Sequence, residues 1–184
     1  MIKTHYKDYS ITVFDDSYYR ENSADNSHHY DIIYGASSEF GFTSLHGIKI
    51  YDVTDKLLKS VCVCATGGGT GIHKNSFVIS EDKLLICCCD SIFCLLLPSL
   101  TLEWNKVCDS ATCFGIYPYQ KDFIVRGEME ISRISDKGEI IWQYSGRDIF
   151  TTLSVSDAFS IKDNKITVKD WLENIYTIDA DTGQ

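Results

Sequence analysis

Asp163-Asn164-Lys165-Ile166-Thr167-Val168, a polar turn that runs into an apolar strand, is the third statement of one phrase. The same phrase reads Glu81-Asp82-Lys83-Leu84-Leu85-Ile86 and Gln120-Lys121-Asp122-Phe123-Ile124-Val125. Its strands begin at Leu84, Phe123 and Ile166, offsets of 39 and 43 residues. Trp104 and Trp142, 38 residues apart, mark the far ends of two copies. A repeat near 40 residues made only of short strands is the period of a β-propeller blade.

Working outward, Gly47-Ile48-Lys49-Ile50-Tyr51-Asp52-Val53 alternates cleanly, turns at Thr54-Asp55-Lys56 and returns through residues 57–65. That pair matches Glu130-Ile131-Ser132-Arg133-Ile134 turning at Ser135-Asp136-Lys137-Gly138 into Glu139-Ile140-Ile141-Trp142, so a fourth, more diverged copy lies upstream. Residues 9–14 and 30–34 read as two further strands, with a polar surface loop over 15–29 between them. No segment carries a helical period. The reading is all-β: an open or partial β-propeller-like array of small antiparallel sheets, about four repeat units of roughly 40 residues. It predicts a single domain over 1–184, with irregular N-terminal strands and loop over 1–46 and the repeats over 47–184.

Residues 163–183, from Asp163-Asn164-Lys165 through Lys169-Asp170-Trp171-Leu172-Glu173 to Ile178-Asp179-Ala180-Asp181-Thr182-Gly183, resemble a blade of the quinoprotein-like propeller repeats. In those repeats a strand, a short turn, a second strand ending in Asp and a Thr-Gly turn succeed one another. Residues 135–142 resemble the next part of such a blade, where a tryptophan closes the outer strand. The resemblance covers about 77–184, extends weakly to 47, and implies a fold without an activity. Complete propellers need at least about four blades of four strands, and the last unit here reaches Gln184 just after its Thr-Gly turn. Either residues 9–14 complete a ring, or the array is an open fan whose edges are covered by N-terminal loops; the second fits the length better.

Lys and Arg number 17 against 26 Asp and Glu, a formal charge of −9. That balance argues against a phosphate-tracking surface and hence against nucleic acid. It suits a basic partner, since opposite fields speed encounter, or serves solubility alone. No run of about 18 apolar residues is present, so no membrane span is expected, and residues 1–8 lack an apolar signal segment, which points to the cytoplasm. The eight cysteines lie mostly inside apolar strands and read as reduced, buried, small hydrophobes rather than a disulfide framework.

Motifs that invite chemistry fail on context. Thr66-Gly67-Gly68-Gly69-Thr70-Gly71 is similar to the glycine-rich phosphate loop of tubulin-type GTPases, but a strand follows where a helix N-terminus is needed, so it reads as a blade-to-blade connection. Cys62, Cys64 and 87–89 lack the turn-tip spacing of a structural zinc site, and neither metal nor cofactor is expected. His5, His28, His29, His46 and His73 are scattered through polar contexts, with Lys74 nearby, and nothing in the sequence shows that they converge as acid and base.

What remains is a concentration of aromatics and acids in loops: Asp15, Asp16, Tyr18, Tyr19 and Glu21, then Tyr117 and Tyr119, then Asp170, Trp171 and Glu173. Aromatics supply contact area and acids complement a basic partner, so these ten form the expected partner-binding set. Packing between blades is the competing reading for Trp171 and the tyrosines. The functional expectation is a non-catalytic protein-binding protein, a small acidic inhibitor in the manner of bacterial immunity proteins that neutralise nuclease toxins. The alternative is a small-ligand-binding or hydrolytic propeller-type domain using the loop histidines.

Overall fold

Sixteen strands form four small sheets in the computed structural model, which describes residues 1–35, 41–152 and 159–184; among these there is no helix. The first blade contains β1 (Ile2–Tyr6), β2 (Tyr9–Asp15), β3 (Ile32–Tyr34), β4 (Ser44–Tyr51) and β5 (Leu57–Ala65) in the order β1-β2-β4-β5-β3. The second is a plain meander of β6 (Phe77–Ser80), β7 (Lys83–Cys88), β8 (Ser91–Leu96) and β9 (Thr101–Val107). The third repeats it with β10 (Cys113–Tyr119), β11 (Asp122–Gly127), β12 (Glu130–Ile134) and β13 (Ile140–Ser145). The fourth has three strands, β14 (Phe159–Lys162), β15 (Lys165–Lys169) and β16 (Ile175–Asp179).

The repeated phrase is the inner hairpin of each blade. Glu81, Gln120 and Asp163 open its turn with φ near +50°, a left-handed conformation uncommon for residues other than glycine, so its recurrence marks the same turn in each blade. Lys7 does the same at +50° between β1 and β2, so the first blade carries the hairpin too. β4 runs through residue 46, and β1 and β2 pair into the first blade. Residues 9–14 do not close a ring, because both edges of β2 are already paired, with β1 and with β4. The insertion between β2 and β4 had displaced the second half of this blade from the 40-residue register.

Burial follows position in the array. Middle strands bury both faces, which is why their sequences are continuous apolar runs rather than alternations. Leu84, Ile86 and Cys88 face Val13, Ile48 and Val63 of the first blade, while Leu85, Cys87 and Cys94 face Cys113, Ile116 and Val125 of the third. Ile124 and Ile131 then meet Ile166, Val168 and Ile178 of the fourth. All eight cysteines are free and buried; Cys87, Cys88, Cys94, Cys108 and Cys113 fill space between sheets as small apolar groups, while Cys62 and Cys64 lie on the outward side of the first blade. Burial pushes the thiols of Cys94 and Cys108 up to about 12.

An aromatic latch joins each blade to the next. Trp104 donates its indole N–H to the Asp136 carbonyl (3.1 Å) and packs over Gly138, whose φ of +78° and lack of a side chain admit the ring. Trp142 does the same to the Ala180 carbonyl (3.1 Å) and Gly183. Between the first two blades Tyr34, on the added strand β3, takes this role, donating to the Leu100 carbonyl (3.0 Å) and accepting from the Leu102 N–H (3.2 Å). The tryptophans thus tie outer strands to the following blade.

Candidate partner-binding surface

Every inner strand runs in the same sense, so the connections between blades gather at one end of the array, here the upper end. Backbone hydrogen bonds there step from blade to blade: Cys113 N–H to Cys89 (2.6 Å), Glu128 N–H to Thr112 (2.8 Å), Phe150 N–H to Glu128 (2.6 Å) and Trp171 N–H to Ile149 (2.8 Å). The connection after β2 and the connection between β15 and β16 also lie at this end. The 15–21 and 170–173 loops, on the first and fourth blades, therefore share one end of the molecule. Tyr119 lies at the opposite end, and Tyr117 lies inside.

Several expected contact residues are spent internally. Asp15 accepts the Ile72 N–H (3.1 Å), and its Oδ1 lies 3.0 Å from Nδ1 of the buried His46, off the direction of a hydrogen bond. His46, with Ile72, holds the Asp15 carboxyl below its usual range. Asp16 accepts the Tyr30 hydroxyl and approaches His28 Nδ1 at 3.2 Å. Tyr19 packs edge-on against Tyr30, centroids 5.1 Å apart. The loop is fastened further by Asn26, which accepts from the Arg20 N–H (2.9 Å) and donates to the Arg20 carbonyl (2.6 Å). Tyr18 is left 92% exposed and Glu21 is exposed beside it.

Asp170 corrects the expectation most sharply, for it is fully buried. It accepts the Asn174 N–H (2.9 Å), the Asn174 side-chain amide (2.9 Å) and the Tyr176 hydroxyl (2.7 Å), organising its own turn as a short polar side chain does. Burial pushes its carboxyl up, but these donors together hold it below the usual range. Trp171 is 48% exposed, and Glu173, with φ of +62°, pairs with Lys169 at 3.5 Å. Tyr117 is half-buried against Phe159 (4.8 Å), and burial raises its hydroxyl. Tyr119 donates to Asp181 (2.9 Å) beneath Arg133. Neither tyrosine joins the other loops.

Leu172 (66% exposed) and Ile175 (64%) belong to the exposed apolar cluster around Trp171 and were missed. Ile175 reads as a core residue of an alternating strand; only its pairing with Lys169, on the side away from Ile166 and Val168, reveals the exposed face. The histidines stand in separate environments: His46 is buried, His28 touches Asp16 and Phe14, and His73 bonds to the Phe114 carbonyl (2.8 Å). Among the described residues no three His, Cys, Asp or Glu side chains are grouped to hold a metal ion. Cys89 is the one thiol lowered, to about 7, through the Cys88 thiol and Ser44, and it is fully buried.

No family model matches the chain, and a search among curated proteins finds no match. Solved structures do. The WD40 domain of Neurospora crassa Pan2 superposes with a TM-score of 0.50 at 15% identity, covering 60% of this chain and 36% of that one. The computationally designed Ika8 protein gives 0.49 at 10% identity, over 77% of this chain and 44% of that one. The AfRom2 CNH domain gives 0.48 at 14%, over 91% and 59%. The chain thus spans less than two thirds of the length of each of these structures. The Pan2 likeness shows the fold, a β-propeller-like array, and the fold alone.

Proposed function

We propose that the chain is a non-catalytic binding protein that engages a basic protein through the upper end of the array. The observation that carries this reading is that two loops distant in sequence, on the first and fourth blades, lie at the same end of the array, with Tyr18, Trp171 and Leu172 exposed on them. Exposed aromatics of this kind supply anchors, and acids such as Glu21 and Glu173 supply steering. In its narrower form the protein is an inhibitor of the immunity type, neutralising a basic nuclease toxin; the net charge of −9 supports that form, since it attracts a basic domain. Within the propeller class, the Asp179-Ala180-Asp181-Thr182-Gly183 turn and Trp142 support a quinoprotein-like repeat. A hydrolytic or ligand-binding role for the loop histidines has less support, because His28, His46 and His73 each face a different group, Asp16, Asp15 and the Phe114 carbonyl.

The test is binding kinetics against a basic nuclease domain from the same host. Glu21→Gln is expected to slow association at low salt and to matter less at high salt, where charges are screened. Trp171→Ala is expected to speed dissociation and to cost about 2 kcal/mol or more as an anchor. A complex in which hydrogen exchange leaves both loops unprotected overturns the reading.

A further inference from the structure

A hollow lies under the 17–21 segment, on the outward side of the first blade, with a volume of about 290 Å³. Its floor is apolar: Ile33, Phe42, Leu45 and the Cys64 thiol, which burial pushes up to about 11 and so keeps uncharged. Its rim is charged with both signs. Arg20 and Glu21, adjacent in the chain, both line it. The described partners of the Arg20 guanidinium are two backbone carbonyls, of Ser17 (3.2 Å) and Tyr19 (2.8 Å), both reached by Nη1. That anchorage fixes the head while leaving the rest of its planar fork for an acceptor, the geometry that suits a carboxylate. Glu21, on the same lining, complements a cation.

An apolar floor with a few placed polar groups at its mouth is the composition of a small-molecule site, and the volume is near the lower limit for one. A ligand that satisfies all of it is small, carries one apolar side chain, and bears a carboxylate and an ammonium on neighbouring atoms. We infer that this hollow binds a free apolar α-amino acid as its zwitterion, side chain inward, carboxylate on Arg20 and ammonium on Glu21. A purely apolar ligand leaves both rim charges uncompensated, and an anion alone meets Glu21 unfavourably. The hollow shares Glu21 with the protein-partner reading but none of its anchors, Tyr18, Trp171 and Leu172, so amino-acid titration tests it without the partner.

Isothermal titration of the full chain with L-leucine, L-phenylalanine, glycine, N-acetyl-L-leucine and L-leucinamide tests it. Leucine and phenylalanine should bind saturably and glycine should not. Each blocked derivative should bind about three- to fivefold more weakly than leucine, the discrimination that one exposed ion pair supplies. Arg20→Gln should erase the discrimination against leucinamide and keep that against N-acetyl-leucine; Glu21→Gln should do the reverse. Both substitutions are on exposed side chains, so the variants should fold, and their circular dichroism checks that they do. No saturable heat up to about 10 mM, a concentration at which even millimolar sites fill, overturns the inference. So does equal affinity for leucine and its blocked forms, or discrimination unchanged in both variants.

Discussion

The two end blades face the same problem and answer it differently. Each packs one side against a neighbour and turns the other away from the array. On the first blade that outward side is apolar, Leu45, Cys62 and Cys64, and the segment between β2 and β4 covers it with Tyr19, Tyr30, Ile33 and Phe42. On the fourth the outward side reads Lys165, Thr167 and Lys169 opposite Asp179, Thr177 and Ile175, mostly polar, and no apolar cluster forms over it among the described residues. Repeat arrays need a terminal unit that tolerates water, and here one end gains it by a lid and the other by composition. The difference also explains the sequence texture: residues 61–64 are continuously apolar, whereas Ile166-Thr167-Val168-Lys169 alternates.

The comparison breaks first at Leu45 and Thr167. Leu45 is 6% exposed beneath the lid, and Leu45→Ala should cost about 2–4 kcal/mol through lost burial and the cavity left behind. Thr167→Ala, on the bare side, should stay within about 0.5 kcal/mol. Urea midpoints of the two variants check this. Similar losses at both positions would show that the fourth blade's outward side is covered as the first one's is.

How much of this was legible follows from the same contrast. The middle blades announce themselves because their turns need a left-handed polar residue and their strands need apolar residues on both faces, so Glu81, Gln120 and Asp163 recur in register with Leu84, Phe123 and Ile166. The first blade was misread because its hairpin turn, Lys7-Asp8, lies on the far side of a long insertion from β4 and β5. At the candidate surface, the loops were legible but the fate of each carboxylate was not. Asp170 and Glu173 look alike in sequence, yet one is buried under three donors and the other faces water, because only the first sits where Asn174 and Tyr176 can reach it. The hollow beneath Arg20 needed Ile33, Phe42 and Cys64, which meet only after β3 pairs with β5 in parallel.

Both end blades nevertheless use a carboxylate to hold their upper loops, which predicts a shared response to acid. Asp15, held low by His46, and Asp170, held low by Asn174 and Tyr176 against its burial, both have folded-state values below the unfolded one. A carboxyl depressed in the folded state contributes stability above its unfolded value, near 4, and loses it as pH falls through the folded value. The urea midpoint should therefore hold from pH 7 to about 5, as far as these groups set it, and decline below about 4. Asp170→Asn, which keeps the size of the side chain, should flatten that decline. An unaltered decline in the variant would show that Asp170 is not one of the groups responsible.

The smallest effect concerns the latches, where the first blade again departs from the rest. Its link to the second blade rests on a hydroxyl, Tyr34 bridging the Leu100 carbonyl and the Leu102 N–H, whereas Trp104 and Trp142 combine an N–H with a ring packed over a glycine. Tyr34→Phe keeps the ring and removes only the bridge. One neutral hydrogen bond contributes about 1 kcal/mol net, and the two groups left behind regain water only in part, so a loss of about 1–2 kcal/mol is expected. Because Tyr34 lies on β3, the loss should come with faster amide exchange at Leu102 and at residues 32–34, and with no change at Trp142. Exchange that rises equally at all three latches would mean that the blades loosen together and that the hydroxyl is no separate joint; exchange confined to the first seam would establish that the lid and the latch of the first blade are one device, carried by the same inserted segment.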